Sequence, residues 1–317
     1  MKRAAPTARA PRRICVTADD FGLHAGIDAA ILELAESRRI QALSCMMGGQ
    51  SWRSSAPSLR GPSSLGAEVG LHLDLTERPL ERAPRPLRTL ILDAYSLRLE
   101  RRSVRAEIRL QLNAFEAALG RAPDYVDGHQ HVHQLPVVRS ELMEELAARY
   151  PANTQPWLRS TVPGQGVSDD GSVMRAPSPP LSTRLKAAII ASLGGYALRR
   201  EAQQQGWRMN AALTGVYGFD ADAPTYRSLL ASWLAHAADG SILMCHPSRS
   251  SEPDDAIGPA RLIEYQVLAG SEIPLLISQF GLQMQAMRDI LEGVRPAPLV
   301  QPVTDEDLDD QRRANPH

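Results

Sequence analysis

Residues 13–35 read RICVTADDFGLHAGIDAAILELA, and they contain one complete folding unit. The apolar, β-rich run Arg13–Ala18 predicts a buried strand. After a short turn, apolar residues recur three and four positions apart between Ile27 and Ala35, as they do on one face of a helix. The stretch therefore predicts a strand followed by a helix, which is a βα unit.

The same alternation of strands and helices continues along the chain. Further strands are predicted at 41–47, 68–75, 124–127, 157–159, 214–219, 241–245 and 274–280, helices at 104–119, 136–150, 181–204, 224–238 and after Pro259, and loops that would wall a pocket at 76–100 and 161–180. Because such alternation produces parallel strands with right-handed crossovers, the fold is a barrel or a doubly wound open sheet. About seven units favour the barrel, so we predict an α/β barrel of about seven parallel strands.

Composition and charge exclude some classes of protein. The chain has 317 residues, 43% hydrophobic and 22% charged, which is the balance of a globular protein with a sizeable core. Its 35 Lys and Arg residues against 36 Asp and Glu give a net charge of -1. No overall field would hold a polyanion or an anionic membrane, so a nucleic-acid partner is not expected.

Cysteine usage and hydropathy bear on the cellular compartment. Cys15, Cys45 and Cys245 are too few and too scattered for a disulfide framework or a cysteine-based zinc site. This fits a reducing compartment, and we expect a cytoplasmic protein. No window of the sequence is apolar for long enough to predict a membrane span.

The two ends of the chain differ from its centre. Residues 1–12 are basic and lack the apolar segment of a secretory signal, so they predict a flexible tail. Residues 13–280 hold all the predicted strands and are assigned to one domain. Residues 281–317 predict a C-terminal helix followed by a disordered, acidic tail.

Two adjacent carboxylates, Asp19 and Asp20, end the first predicted strand. Neighbouring side chains at a strand end point in different directions, so one carboxylate can bind a cation while the other stays free as a base. In the alternative interpretation, one of the two merely caps the following helix.

Two histidines stand in or directly after apolar strands. His72 lies inside the alternating run Val69–Asp74, where a neutral, hydrogen-bonded core histidine is the alternative to a functional one. His246 leaves another apolar run, and Pro247 forces an extended exit that fixes the direction of the imidazole. Alone, His246 could be an ordinary loop residue; beside the other motifs it suggests an acid or base.

The densest motif is Asp127–His133, which reads DGHQHVH. His129, His131 and His133 would share one face if the segment were extended, and imidazole is the commonest ligand for divalent metals. The spacing is not the helical His-Glu-x-x-His signature, so a zincin protease is disfavoured.

In parallel α/β folds the loops after the strands share one rim, so these motifs are expected to converge. Asp20, His72 and one histidine of the cluster would then form a metal site with open positions. The sequence contains no Gly-x-Ser-x-Gly elbow and no phosphate-binding glycine loop, which disfavours a serine hydrolase and a nucleotide cofactor.

Four segments together resemble a known family: VTADDFGL at 16–23, GLHL at 70–73, DGHQHVH at 127–133 and MCHP at 244–247. Their order and spacing are similar to those of YdjC-like carbohydrate deacetylases, which include chitooligosaccharide and hopanoid-associated deacetylases. The resemblance covers roughly residues 13–280. It implies a distorted TIM-like barrel that removes acetyl groups from N-acetylated amino sugars with a divalent metal.

The resemblance also implies roles for individual residues. Asp19 matches the base of the family, and Asp20 matches its metal carboxylate. His72 and His129 match its metal-binding histidines, and His246 matches a histidine that assists the leaving group.

Four more residues are expected around this site. His131 and His133 would orient ligands or bind sugar hydroxyls. Trp157 is expected to serve as an aromatic platform for a sugar ring, and Arg159 is the one basic residue evident near the site.

The expected cofactor is one divalent metal ion: mixed nitrogen and oxygen ligands favour Zn²⁺, while the resemblance allows Mg²⁺. The expected substrate is a small molecule or an oligosaccharide. The sequence is also compatible with a homodimer. Two alternatives remain: a metal-dependent phosphoesterase or other hydrolase on the same rim, and a non-catalytic sugar-binding protein. The former would need more basic residues near the site, and the latter a damaged site.

Overall fold

The computed structural model describes residues 10–60, 66–164 and 177–293 and contains a parallel β-sheet. The strands found in these ranges are β1 (Arg12–Phe21), β2 (Ala42–Cys45), β3 (Glu68–Leu73), β4 (Tyr125–Gly128), β5 (Trp157–Leu158), β6 (Ala212–Thr214), β7 (Ser241–Cys245) and β8 (Leu282–Met284). Every observed strand pair is parallel.

Seven strands follow one path through the sheet, in the order β5-β4-β3-β2-β1-β7-β6, while β8 pairs with the start of β1. The two edges of this path are linked by isolated parallel bridges, Leu158 with Met209 and Pro163 with Leu213. The sheet therefore curls into a distorted barrel. The predicted α/β class and the number of parallel strands are confirmed.

Helices connect the strands, as a parallel sheet requires. They are α1 (Ala25–Glu36), α2 (Trp52–Ser55), α3 (Leu87–Tyr95), α4 (Arg101–Leu119), α5 (Val138–Arg149), α6 (Leu181–Ile190), α7 (Tyr196–Gln204), α8 (Ala223–His236), α9 (Gly258–Ala269), α10 (Glu272–Gln279) and α11 (Met287–Leu291). Ala56–Leu59 and His129–Gln134 form 3₁₀ turns, and a π-helical turn at Ala191–Gly195 separates α6 from α7. None of the helices in the described ranges is both long and apolar enough to cross a membrane.

Alternation along β1 divides its side chains between two environments. Ile14, Val16 and Ala18 join the large cluster that packs the sheet against the helices. Cys15 faces the other way, into a second cluster with Tyr125 inside the barrel. Because β1 is buried on both faces, it lacks the polar alternation of a half-exposed strand.

Two predicted strands are placed differently in the structure. Residues 274–279 belong to α10 instead of a strand, and Phe280 follows its end, because Ile273, Ile277 and Phe280 recur at helical spacing and are buried. The last strand, β8, follows them. The strand predicted at 214–219 ends at Thr214, where Gly215 turns the chain with φ +95°.

The predicted loops and termini are partly described. The loop predicted at 76–100 contains α3, and part of the loop predicted at 161–180, residues 165–176, lies outside the described residues, as do 1–9 and 294–317. Arg12, assigned to the basic tail, belongs to β1. The predicted C-terminal helix is present as α11.

Gly70 in β3 offers a test of the packing inside the barrel. A Cβ atom at this position would lie 2.5 Å from the ring of Tyr125, which stacks on Trp157 with centroids 4.3 Å apart. We expect Gly70→Ala to lower the free energy of unfolding by about 1–3 kcal/mol through overpacking. Chemical denaturation measures the change. Gly164→Ala is the control, since among the described residues its Cβ would meet only the Ala212 methyl group, at 3.2 Å. Equal stability of both variants would contradict the packing argument.

Candidate active site

The carboxyl ends of β1, β3, β4 and β7 surround a cavity of about 640 Å³. Its lining includes the predicted residues Asp19, Asp20, His72, His129, His131 and His246. These six residues come from four separate segments of the chain, and the curvature of the parallel sheet brings them together.

A β-bulge at the end of β1 directs the side chains of the two aspartates to different parts of the site. Ala18 pairs with Leu43 and Phe21 with Cys45, so Asp19 and Asp20 together face a single residue of β2. Asp20 takes the left-handed conformation, with φ +73°. Aspartate tolerates this region better than most residues, and the turn directs its carboxylate away from that of Asp19.

Asp20 is the centre of a three-residue group. Its Oδ1 lies 3.2 Å from His72 Nε2 and 3.0 Å from His129 Nδ1. All three side chains are buried, with exposed fractions of 8% or less. The structure therefore brings the predicted carboxylate and the two predicted histidines to one point.

Each of the two histidines also forms a hydrogen bond with a second carboxylate through its other ring nitrogen. His72 Nδ1 donates to Asp127 Oδ1 at 2.7 Å, and His129 Nε2 donates to Glu77 Oε2 at 2.9 Å. Burial opposes protonation of His72, but Asp127 and Asp20 outweigh it and raise the pKa of this imidazole to about 9. Such an electron-rich group attracts a cation, either a proton or a metal ion.

The donor set fits one divalent metal ion. With one nitrogen of each imidazole bound to a carboxylate, the other nitrogen is left for a metal, the usual arrangement in metalloproteins. The ligand atoms lie within 4.8 Å of one another. The 3.0 and 3.2 Å separations from Asp20 also match the edge of about 3.0–3.4 Å expected between ligands bonded to an ion at ~2.1 Å.

A second cluster, Asp19, His72 and Asp127, also has ligand atoms within this distance. This second cluster is poorly suited to a metal ion, because the guanidinium of Arg159 already binds both of its carboxylates. Nη1 and Nη2 donate to Asp19 at 2.6 and 2.7 Å, and Nη2 lies 2.6 Å from Asp127 Oδ2. Arg159 is 0% exposed, so this cation is a permanent part of the site.

His246 enters the site directly after the end of β7. Its Nε2 lies 3.9 Å from Asp19 Oδ2, and its backbone N–H donates to Glu264 Oε2 at 2.6 Å. The imidazole packs edge-on against Phe219, with ring centroids 5.2 Å apart. These contacts hold the ring beside Asp19 at the cavity surface.

The histidines of the cluster do not share one face. The segment is a turn, not an extended strand, because Gln130 and His131 have φ values of 51° and 62°. His131 lines the cavity, whereas His133 is fully buried and donates from Nε2 to the carbonyl of Arg159 at 2.9 Å. Burial lowers the pKa of His133 to about 4, which keeps its ring neutral at ordinary pH.

Trp157 does not line the cavity. It is 1% exposed, stacks on Tyr125 inside the barrel and donates its indole N–H to Glu68 Oε1 at 3.0 Å. This buried position cannot serve as a sugar platform, so that expectation is wrong. The aromatic rings that do line the cavity are those of Tyr217 and Phe219.

Sequence reasoning missed several residues that support the site. Asp127 ends a predicted strand just as Asp19 does, so the same argument could have identified it. Glu77 and Arg261 carry no comparable signal, because one lies in a loop and the other on α9. Arg261 Nη2 nevertheless lies 2.7 Å from Asp20 Oδ2.

Comparison with known proteins assigns the chain to a family. Residues 13–279 match the family model described as YdjC-like protein, so the chain belongs to the YdjC-like family. A carbohydrate deacetylase from Homo sapiens is 28% identical, with 91% of this chain and 94% of that protein covered. A chitooligosaccharide deacetylase from Yersinia enterocolitica is 25% identical, with 87% of this chain and 98% of that protein covered.

Among solved structures, the fold is similar to that of a protein from Enterococcus faecalis provisionally described as a cellobiose-phosphate cleavage protein. The two share 18% sequence identity and a TM-score of 0.55, with 89% of this chain and 100% of that chain covered. This similarity supports the architecture of the barrel.

The buried arginine of the site generates a stability prediction. Arg159→Leu leaves Asp19 and Asp127 buried without their cation, and we expect a loss of about 3–5 kcal/mol at neutral pH, measured by chemical denaturation. Arg227→Leu is the control, because Arg227 forms an exposed pair with Glu272 at 3.3 Å and such pairs contribute less than about 1 kcal/mol.

The same variant has a defined pH dependence. Burial raises the pKa of Asp127, but Arg159 and His72 outweigh it and hold this pKa below its ordinary value. A lowered folded-state pKa stabilises the protein above the unfolded pKa of about 3.9, and this contribution is lost as the pH falls below it. The deficit of Arg159→Leu should therefore shrink in acid; a deficit that is constant with pH would contradict the ion pair.

Proposed function

We propose that this protein is a metal-dependent hydrolase that removes the acetyl group from an N-acetylated amino sugar or glycoconjugate. The observation that carries the proposal is the convergence of Asp20, His72 and His129 beside Asp19 and His246 in one cavity. The names of the family's relatives, carbohydrate deacetylase and chitooligosaccharide deacetylase, support the same reaction.

Asp20, His72 and His129 would hold the metal ion. Two imidazole nitrogens and one carboxylate oxygen suit Zn²⁺, and Mg²⁺ is the alternative that metal analysis decides. When bound, such an ion acts as a Lewis acid towards a carbonyl oxygen and makes water more acidic. Asp127 and Glu77 each accept a hydrogen bond from one nitrogen of these histidines, so the other nitrogen faces Asp20 and would give up its proton to bind the ion.

Asp19 and His246 would carry the protons. Asp19 accepts a proton from the attacking water, while Arg159 fixes the direction of its carboxylate. His246 would donate a proton to the departing amine. Its Nε2 lies 3.9 Å from Asp19 Oδ2, so both proposed proton carriers would lie on the same side of a bound amide.

The cavity suits a sugar bound next to these groups. Phe219 offers a partly exposed aromatic ring, and the neutral His131 can bind a hydroxyl group. These two residues replace Trp157 as the substrate-binding candidates. A volume of about 640 Å³ holds a mono- or disaccharide unit of a longer substrate.

The cations around the cavity do not favour a phosphoesterase. Arg159 and Arg261 are both engaged by buried carboxylates, and Arg78 faces Asp254 at 3.4 Å. Lys186 donates to the backbone carbonyl of Tyr217 and lies over the ring of Phe219. Within the described cavity lining, each of these cations is thus occupied, and a phosphate would have to displace a partner.

Acetate release tests the proposed function directly. We expect release from at least one member of a panel of N-acetylglucosamine, chitooligosaccharides and lipid-linked N-acetylglucosamine, and loss of release after treatment with a chelator. Restored activity on adding back Zn²⁺ or Mg²⁺ identifies the metal. Activity that survives complete metal removal would refute the metal dependence, and phosphate release from sugar phosphates without acetate release would refute the deacetylase.

Substitutions of the two aspartates should have different effects on metal binding and acetate release. Asp19→Asn removes the proposed base but no metal ligand, so the metal should stay bound while acetate release falls by about 10²- to 10⁴-fold. Asp20→Asn removes the one anionic ligand of the set, so the purified protein should lose metal as well as activity. Elemental analysis and acetate release are measured on the same samples.

Thermal melts of both variants separate these effects from simple unfolding. If one aspartate only caps the following helix, its substitution should cost about 1 kcal/mol of stability and leave metal content and turnover intact. An active Asp19→Asn enzyme would remove Asp19 from the mechanism.

A further inference from the structure

Exposed apolar side chains are concentrated on helices that also contribute residues to the cavity. Eleven large apolar side chains are exposed in the described ranges, and seven of them lie on or next to two helical segments. Leu92, Tyr95 and Leu97 belong to α3 and the turn after it, and Leu181, Leu185, Ile189 and Tyr196 belong to α6 and the start of α7. We call these seven residues the mouth surface.

Helix α6 is the centre of the mouth surface. Of its ten residues only Thr183 is buried, whereas Leu181, Leu185 and Ile189 are 76, 58 and 49% exposed. These three residues are four positions apart, so they form one stripe along the helix. A helix normally turns such a stripe towards the core, and an apolar stripe that faces water marks a surface that contacts something else.

The mouth surface adjoins the active site. Lys186 and Ile190, one position after Leu185 and Ile189, line the cavity from α6. Leu87 and Ile91 line it from α3, and Ile91 directly precedes the exposed Leu92. Both helices thus present one face to the active-site cavity, and on α6 the exposed Leu181 and Leu185 also border a second cavity of about 570 Å³.

The charges on α6 and at the start of α7 are all positive, whereas α3 also carries Asp93, which pairs with Arg85 at 2.8 Å. Arg88 and Arg98 accompany α3, and Arg184 and Arg200 accompany α6 and α7; Arg88, Arg98, Arg184 and Arg200 are all exposed. Within the described part of the chain none of these four arginines forms an ion pair, and no Asp or Glu occurs between residues 177 and 200. Apolar and cationic side chains on one helical surface are the combination that binds at an anionic lipid interface.

We propose that the mouth surface docks on an anionic lipid bilayer, with Leu185 and Ile189 inserted among the lipids and Arg184 and Arg200 at the headgroups. A second copy of the chain fits this surface less well. A twofold dimer through α6 would bring Arg184 and Arg200 of the two copies together, and residues 177–200 offer no acidic partner for them. The net charge of -1 does not oppose the docking, because the relevant cations are local to the two helices.

Vesicle co-sedimentation of the full-length protein tests the proposal, and it requires no catalytic turnover. The probe is a vesicle of two parts phosphatidylcholine to one part phosphatidylglycerol, compared with pure phosphatidylcholine. We expect the wild-type protein to sediment with the anionic vesicles, and Leu185→Glu/Ile189→Glu to bind at least about tenfold more weakly. The matched control is Leu275→Glu, since Leu275 is 68% exposed on α10, and its binding should equal that of the wild type.

A second variant tests the charge. Arg184→Gln/Arg200→Gln should weaken binding to the anionic vesicles and reduce its dependence on salt. Circular dichroism melts verify that every variant is folded. The proposal is overturned if the wild type does not bind anionic vesicles, or if Leu185→Glu/Ile189→Glu binds them as the wild type does. It is also overturned if the wild type does not bind vesicles but forms a dimer, detected by light scattering, that this double substitution dissociates. Because the readout is binding, a failed docking and a failed deacetylase assay remain separate results.

Discussion

The site depends on a cation that the fold buries completely. Arg159 is 0% exposed and lies between Asp19 and Asp127, which are themselves at most 2% exposed. Removing three charges from water is costly, and the cost is offset only when the partners stay in close contact. Arg159 thus ties β1 and β4 to the end of β5. Any shift between these strands would separate buried charges, so the ion pairs hold the floor of the cavity rigid.

The strand β1 converts this rigidity into a functional geometry. Its alternating side chains direct Asp19 into the barrel towards Arg159, while the bulge opposite Ser44 turns Asp20 towards the two histidines. The left-handed backbone of Asp20 is a cost at a position without glycine. It persists because Phe21 is fully buried directly after it, and Gly22 donates its N–H to Asp28 of α1.

The sequence contained enough information to bring Asp20, His72 and His129 together, because each ends or follows a parallel strand and such strands share one carboxyl edge. It did not reveal the buried position of Trp157, which depends on the pairing of β5 with Tyr125 of β4. It also missed the turn in the histidine cluster, since neither glutamine nor histidine encodes the positive φ of Gln130 and His131. Glu77 and Arg261 reach the site through tertiary packing, which no local pattern records.

The arginines explain why two adjacent aspartates can differ in role. Arg159 donates to both carboxylate oxygens of Asp19, which leaves that group oriented but with little freedom to become a ligand. Arg261 approaches only Oδ2 of Asp20, and Oδ1 remains directed at His72 and His129. A metal cation could therefore bind Oδ1 of Asp20 in place of the histidine protons that face it, without displacing an arginine. The same cation at Asp19 would have to compete with a guanidinium that cannot leave the core, so the fold separates the proposed ligand Asp20 from the proposed base Asp19.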